Sequence, residues 1–161
     1  MEKTLDQTLA NVRRLHEGHL DRIGRPYHTH LERVLSHLVR LFPDCTEAER
    51  HAALLHGSVE ENKTTFEVLR RGGYSAEVIE LVSWNTRPRG PDAPPYLLWI
   101  QHLADHAPLG AVKIKIADNE DNNDPARIAQ LPENERDVSE VYGKARAILV
   151  AALRRRTAQA T

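Results

Sequence analysis

The sequence predicts a mainly helical protein, and two kinds of observation predict it. Apolar residues recur every three or four positions along most of the chain, which is the period of an amphipathic helix. Residues that cap helices stand just before several of these stretches. Proline and glycine cluster in short loops, at 24–26, 72–73 and 88–95, so we expect residues 1–161 to form a single domain.

Apolar stripes and a capping box predict the first three helices. Residues 4–16 and residues 30–42 carry leucine and valine at helical spacing. Thr46 stands three residues before Glu49, so each side chain can accept from the backbone amide of the other at the start of a helix. The apolar positions that follow predict that this third helix continues through Val59.

Caps also predict the next two helices. Thr64 and Glu67 repeat the capping box, here for a short helix that ends at the glycines 72–73. Ser75 is a suitable N-cap for a helix that continues through Val82.

The second half of the chain is predicted to be helical on similar grounds. Residues 96–106 have the helical period, and Asp124 followed by Pro125 is typical of an N-cap with proline at the first helical position. The last helix, predicted at 133–156, has a long apolar stripe. Its final turn holds the arginines 154–156, which favour the negative end of a helix.

One segment fits two structures. Residues 112–116 alternate apolar and polar side chains, which is the pattern of a half-buried strand. The rest of the chain offers no evident partner strand, so periodicity leaves helix and strand both open for this segment.

Charge and cysteine content restrict the function classes. Lysine and arginine number 22, aspartate and glutamate 23, and the net charge of −1 gives no general attraction to nucleic acid or to a membrane. The longest apolar run, at 147–153, is too short to span a bilayer. The single cysteine, Cys45, permits no internal disulfide, and the N-terminal residues lack an apolar signal core. We therefore expect a cytoplasmic protein.

Several residues point toward metal or acid–base chemistry, and the chain is rich in histidine, with nine. His56 and Glu60 are four residues apart, so a helix would place them on one face as half of a metal site or an acid–base pair. Asp118 follows the apolar stretch 114–117, where a carboxylate is expected to be buried and paired or metal-bound. Spacing alone also fits an ordinary helix histidine and, at 118–124, an acidic loop with an Asx cap.

Four segments, taken in order, resemble the HD-domain phosphohydrolase superfamily, and within it the small single-domain proteins similar to RelA/SpoT-type alarmone hydrolases. They are similar to the opening loop with a histidine after "G-x-P-Y-x-x", to "AALLHD-x-VED", to "LTR" with a later tyrosine, and to "VKLAD-x-x-x-N". In this sequence the four are residues 19–30, 52–61, 85–87 with Tyr96, and 112–122, and the resemblance covers 5–131.

The resemblance implies an all-α fold, the HD-domain helical bundle, in which 112–116 is a buried helix. It also implies a divalent metal ion, manganese in much of this group, and a role for each of several residues. These are the metal ligands His30, His56 and Asp118, the catalytic carboxylates Glu60 and Glu61, and the substrate-binding residues Arg22, Tyr96 and Asn122.

Two departures bear on the chemistry. The His-Asp doublet that names the family is His56-Gly57 here, and glycine offers no ligand. Two imidazoles and one carboxylate remain, which can hold a transition ion with water, although more weakly. In the opening loop, Asp21-Arg22 stands where alarmone hydrolases carry two basic residues. Aspartate cannot neutralise phosphate, which argues against guanosine tetraphosphate as the substrate.

The function predicted from the sequence is metal-dependent hydrolysis of a nucleotide or related small phosphoester by metal-activated water. A catalytically inactive HD-fold module that binds a nucleotide or a protein partner is the alternative, and Gly57 is its main support. Ferrous iron chemistry is a third candidate, because two histidines and one carboxylate also suit that ion. The last helix, with Tyr142, is a candidate surface for a homo-oligomer. Gly57→Asp is expected to raise the affinity for metal.

Overall fold

The protein is described by a computed structural model that covers residues 2–160. Within that range it is built of nine α-helices and one short 3-10 turn at Glu133–Glu135, with no β-strand, so the all-α prediction is confirmed. The helices are α1 Leu5–Leu15, α2 Tyr27–Leu41, α3 Glu47–Leu55, α4 Phe66–Arg71, α5 Ala76–Trp84, α6 Tyr96–His106, α7 Leu109–Asn122, α8 Pro125–Ile128 and α9 Val138–Gln159.

Most predicted caps are present. Thr46 and Glu49 form a full capping box at α3, and the hydroxyl of Ser75 accepts from the backbone of α5. At α4 the cap is Thr65, one residue later than predicted, and Thr64 is not the cap. With the helix starting there, Glu67 falls in its first turn and pairs with the arginines of its last turn instead of closing a capping box.

Residues 112–116 form part of α7, which settles the alternative between helix and strand in favour of helix. This helix packs against α2, α3, α5, α6 and α9, so its side chains are buried on nearly every side. Buried polar residues such as Lys115 and Asp118 lie among its apolar ones, and the sequence of α7 therefore lacks the one-sided apolar stripe by which helices are recognised. The acidic stretch that begins at Asp118 continues the same helix to Asn122.

The core lies between α2, α3 and α7, and α9 packs along α6 and α7. The small residues Ala145 and Ala152, with Leu149, face the core from α9, so this stripe is used within the chain. The predicted last helix divides into the 3-10 turn and α9. Among residues 2–160, every helix is too short or too polar to cross a membrane.

Candidate metal and phosphate site

Three side chains from three helices meet in the interior. His30 lies on the second turn of α2, His56 is the C-cap of α3, and Asp118 lies in the second half of α7. All three are buried, and one possible ligand atom from each lies within 4.8 Å of the others. The Nε2 atoms of His30 and His56 lie 3.1 Å and 3.2 Å from the same oxygen, Oδ1 of Asp118.

The Nδ1 atoms of His30 and His56 each make a hydrogen bond on the side away from Asp118 Oδ1. Nδ1 of His30 donates to Oδ2 of Asp121 at 2.6 Å, and Nδ1 of His56 donates to the carbonyl oxygen of Ala53 at 2.7 Å. Such bonds fix the tautomer and turn the Nε2 lone pair toward the group's centre. The sequence identified His30, His56 and Asp118, and the structure brings all three together.

This donor set fits a cation. With neutral rings, two nitrogen lone pairs face one carboxylate oxygen at hydrogen-bond distance, which is repulsive unless a positive charge lies between them. Without a metal, a proton partly meets that need: burial alone would lower the pKa of His30, but its bonds to Asp118 and Asp121 outweigh burial and raise it. Two imidazoles with one carboxylate suit a transition ion.

Asp121 was not singled out in the sequence, because it lay in an acidic run that also fits a loop. It is buried beside His30, and Arg33 donates to both of its oxygens, at 2.7 Å and 3.2 Å. Burial opposes ionisation, but the bonds from His30 and Arg33 lower the pKa of Asp121 to about 2. Its spacing of three residues from Asp118 on one helix is the signal that could have identified it.

Lys115 is a second residue that the sequence did not single out. Its Nζ lies 2.9 Å from Oδ2 of Asp118, and the side chain is buried with its ammonium group 5.0 Å from the ring centroid of Trp99. Burial would raise the pKa of Asp118, but Lys115, His56 and His30 together hold it well below its usual range. Asp118 is therefore an anion, with one oxygen facing the lysine and the other facing both histidines.

The three side chains form the floor of a cavity of about 330 Å³ that opens to solvent. Arg22, Glu60, Glu61 and Asn122, all predicted site residues, line it, and so does Arg127. The structure thus brings together seven of the eight predicted residues. Tyr96 lies outside the lining, and its hydroxyl donates to Oδ1 of Asn119 at 3.2 Å.

The two acidic residues reach the cavity in a way the sequence did not predict. The third helix ends at Leu55, not at Val59, because glycine at position 57 disfavours helix continuation, and residues 56–62 turn instead. The turn places Glu60 beside the backbone amide of Arg87, which donates to Oε1 at 2.7 Å. Glu61 lies with Oε2 3.7 Å from Nε2 of His19.

Basic groups approach the cavity from the opening loop and from α8. Arg22 is exposed and pairs with Glu135 at 2.8 Å. Asp21 holds Arg127 at 2.9 Å and accepts from the backbone amides of Ile23 and Arg25. The aspartate therefore braces the loop, and the second cation at this end of the cavity is Arg127. Asn122 donates to Oδ1 of Asp118 at 3.2 Å.

Neither a family model nor a curated protein sequence matches the chain. A solved structure does match, one described as a metazoan ortholog of SpoT that hydrolyzes ppGpp and plays a role in starvation responses. The similarity covers 97% of this chain and 98% of that one, with a TM-score of 0.76 and 20% sequence identity. The chain has the HD-domain fold. The HD fold predicted from the four segments is thereby confirmed, and its buried His/Asp group could hold a divalent metal.

Proposed function

We propose that the protein is a metal-dependent phosphohydrolase that acts on a nucleotide or a related small phosphoester. The observation that carries the proposal is the buried group of His30, His56 and Asp118 at the floor of an open cavity. The walls of this cavity carry glutamates as well as arginines. Metal ligands, a proton acceptor and phosphate-binding cations are the three components that such hydrolysis needs.

His30, His56 and Asp118 would hold the ion, and we propose manganese. Nε2 of each histidine and Oδ1 of Asp118 supply two nitrogen ligands and one oxygen ligand. A bound divalent ion lowers the pKa of water and polarises a phosphoryl oxygen. Arg33 and Asp121 hold His30 in place, while Lys115 offsets part of the buried negative charge.

Glu60 and Glu61 are the proposed proton acceptors. Glu60 is held by the amide of Arg87, which keeps one oxygen fixed and leaves the other free to accept a proton at the cavity wall. Glu61 lies on the same turn, next to His19. Both carboxylates are half-buried, so they remain accessible to water in the cavity.

Arg22, Asn122 and Arg127 are the proposed contacts of the phosphoester. Two guanidinium groups at one end of the cavity suit phosphate oxygens, which guanidinium binds through paired hydrogen bonds. Tyr96 is proposed to contact the part of the substrate farthest from the metal ligands. Arg87 connects it to the cavity wall, because its guanidinium lies 5.0 Å from the ring centroid of Tyr96 and its backbone amide donates to Glu60. Because Asp21 is committed to Arg127, we expect ppGpp, the substrate of the structural neighbour, to be a poorer substrate here.

The test is metal content followed by hydrolysis. Protein purified without chelator and reloaded with Mn²⁺ is expected to hold about one ion per chain and to release phosphate or pyrophosphate from a member of a nucleotide panel that includes ppGpp. His56→Ala should abolish both. Turnover that survives in His56→Ala would overturn the site assignment, and a folded wild-type protein without metal would overturn the proposal. Activity only with Fe²⁺ and oxygen would favour the ferrous alternative.

A catalytically inactive HD-fold module is the second candidate. Gly57 favours it, because a site with one ligand fewer binds metal more weakly. Its expected result is nucleotide binding by calorimetry, with or without metal, and no product from any nucleotide in the panel.

A further inference from the structure

We propose that Tyr27 belongs to this site: its hydroxyl occupies the space into which a side chain at position 57 would project, and there it donates a hydrogen bond to an oxygen of the bound phosphoryl group. The site would then have a neutral donor in the place of the missing carboxylate. This inference rests on the proposed function and adds to it a residue that the four sequence segments did not assign.

The first support is steric. A Cβ atom built at Gly57 would overlap the hydroxyl of Tyr27 and lie 3.2 Å from its Cζ and 3.3 Å from its Cε1. Any residue larger than glycine at position 57 must therefore displace the phenol. In the position that the ring has here, the phenol of Tyr27 and a side chain at position 57 would occupy the same space, and the glycine leaves that space to the hydroxyl.

The second support is that the ring is held firmly. Tyr27 is the first residue of α2, and its backbone amide donates to the carbonyl oxygen of His19 at 2.8 Å. Its ring stacks on His19, with centroids 4.4 Å apart and an angle of 17°, and contacts the rings of His16 at 4.8 Å and His30 at 5.6 Å. Contacts on several sides fix the direction in which the hydroxyl points.

The third support is electrostatic. Tyr27 lines the cavity together with Asp118, Glu60 and Glu61. A phenol carries its proton at neutral pH, so from this position Tyr27 can donate a hydrogen bond. An aspartate at position 57 would add a fourth carboxylate, whereas the phenol adds an O–H donor without charge. A donor among acceptors is suited to a phosphate oxygen, which carries negative charge.

The first experiment measures binding of inorganic phosphate to the Mn²⁺-loaded protein by titration calorimetry. Tyr27→Phe removes only the hydroxyl, so Mn²⁺ affinity should change less than about threefold and phosphate affinity should fall about five- to tenfold, the value of one hydrogen bond. Tyr142→Phe, which removes a hydroxyl outside the cavity lining, is the matched control and should leave phosphate affinity unchanged. Equal phosphate affinity in wild type and Tyr27→Phe overturns the donor role.

The second experiment tests the exclusion of one side chain by the other. Gly57→Asp alone should leave Mn²⁺ affinity unchanged or lower, because Tyr27 blocks the carboxylate. In a Tyr27→Leu background, which keeps apolar packing and removes the outer ring atoms, Gly57→Asp should raise Mn²⁺ affinity at least about tenfold, as expected for one added ligand. An equal rise in both backgrounds overturns the steric inference. The resemblance predicts instead that Gly57→Asp by itself raises the affinity for Mn²⁺, and this experiment distinguishes the two expectations.

The two proposals can fail separately. If the wild-type protein binds no Mn²⁺ while Gly57→Asp with Tyr27→Leu does, the proposed function and the donor role both fail, and the steric exclusion stands. If the wild-type protein binds Mn²⁺ and hydrolyses a nucleotide while Tyr27→Phe binds phosphate as well as wild type, the proposed function stands and Tyr27 has no donor role. Thermal melts of each variant identify any that are not folded.

Discussion

His30 and Asp121 form a short, fully buried hydrogen bond, 2.6 Å from Nδ1 to Oδ2, that joins α2 to α7 behind the candidate metal ligands. Arg33, one turn after His30, binds both oxygens of the same carboxylate. The imidazole is thereby held in one orientation before any ion arrives, which lowers the entropic cost of binding.

Asp121→Asn should weaken metal binding. The amide can present its NH₂ group to His30 instead of an anionic acceptor, so the ring loses both its fixed tautomer and some basicity. We expect Mn²⁺ affinity to fall about 10- to 100-fold by titration calorimetry. Glu120→Gln, on the same helix but paired with Arg146 at the surface, is the control and should change affinity little. Equal affinities for the two variants would remove Asp121 from the site.

Lys115→Met should make the protein depend on metal for stability. Removal of the ammonium leaves Asp118 buried without its closest cation, which we expect to cost about 3 kcal/mol in the free energy of unfolding. A bound divalent ion replaces the lost charge, so Mn²⁺ should raise the melting temperature of the variant more than that of wild type. Equal shifts on addition of Mn²⁺ would show that Lys115 and the ion do not share Asp118.

Glu60→Gln should separate catalysis from binding. The amide oxygen still accepts from the backbone amide of Arg87, so the turn keeps its shape, but the side chain can no longer take a proton. We expect kcat to fall about 100-fold or more while Mn²⁺ affinity stays within a few fold. A loss of metal instead of kcat would mean that Glu60 is a ligand and not a proton acceptor.

The free energy of unfolding should decrease in mild acid because His16 is buried in its neutral form. Burial, followed by the nearby rings and Lys63, lowers its pKa from 6.5 to about 4 in the folded state. The unfolded chain therefore takes up this proton first as pH falls, and stability declines between about pH 6.5 and pH 4, by at most about 3 kcal/mol. Urea unfolding at pH 7 and pH 4.5 should show a smaller decline for His16→Gln, and an equal decline would exclude His16 as the cause.

The helical fold could be predicted largely from local signals. The capping box at Thr46 and the N-cap at Ser75 are formed by hydrogen bonds between residues three apart in the chain. Such local hydrogen bonds can be predicted from the sequence. The shift from Thr64 to Thr65 could not be predicted, because both threonines suit a cap and tertiary packing chooses between them. The helical state of 112–116 needed the family resemblance, since α7 is packed against five other helices and its polar residues are buried on several sides instead of marking one exposed face.

The candidate site was predictable where a motif named the residue and not where packing alone placed it. His30, His56 and Asp118 were found through the segments that resemble the family, and they converge. Lys115 and Asp121 lie three residues on either side of Asp118 on α7, a spacing that could have identified them only once residues 112–122 were known to be one helix. The bond from His30 of α2 to Asp121 is a contact between helices that the sequence does not show. Position 57 was recognised as lacking a ligand, but the ring that fills its place comes from thirty residues earlier in the chain.

Because α7 is buried against five other helices, the anionic half of the site belongs to the same packed interior that holds the molecule together. Replacing Asp118 or Lys115 therefore alters folding and chemistry at once. The loop at 19–26 lies at the cavity's edge and is largely exposed, outside that interior. A search for altered substrate preference has room to vary this rim loop, while α7 and the turn that carries His56, Glu60 and Glu61 have to be kept as they are.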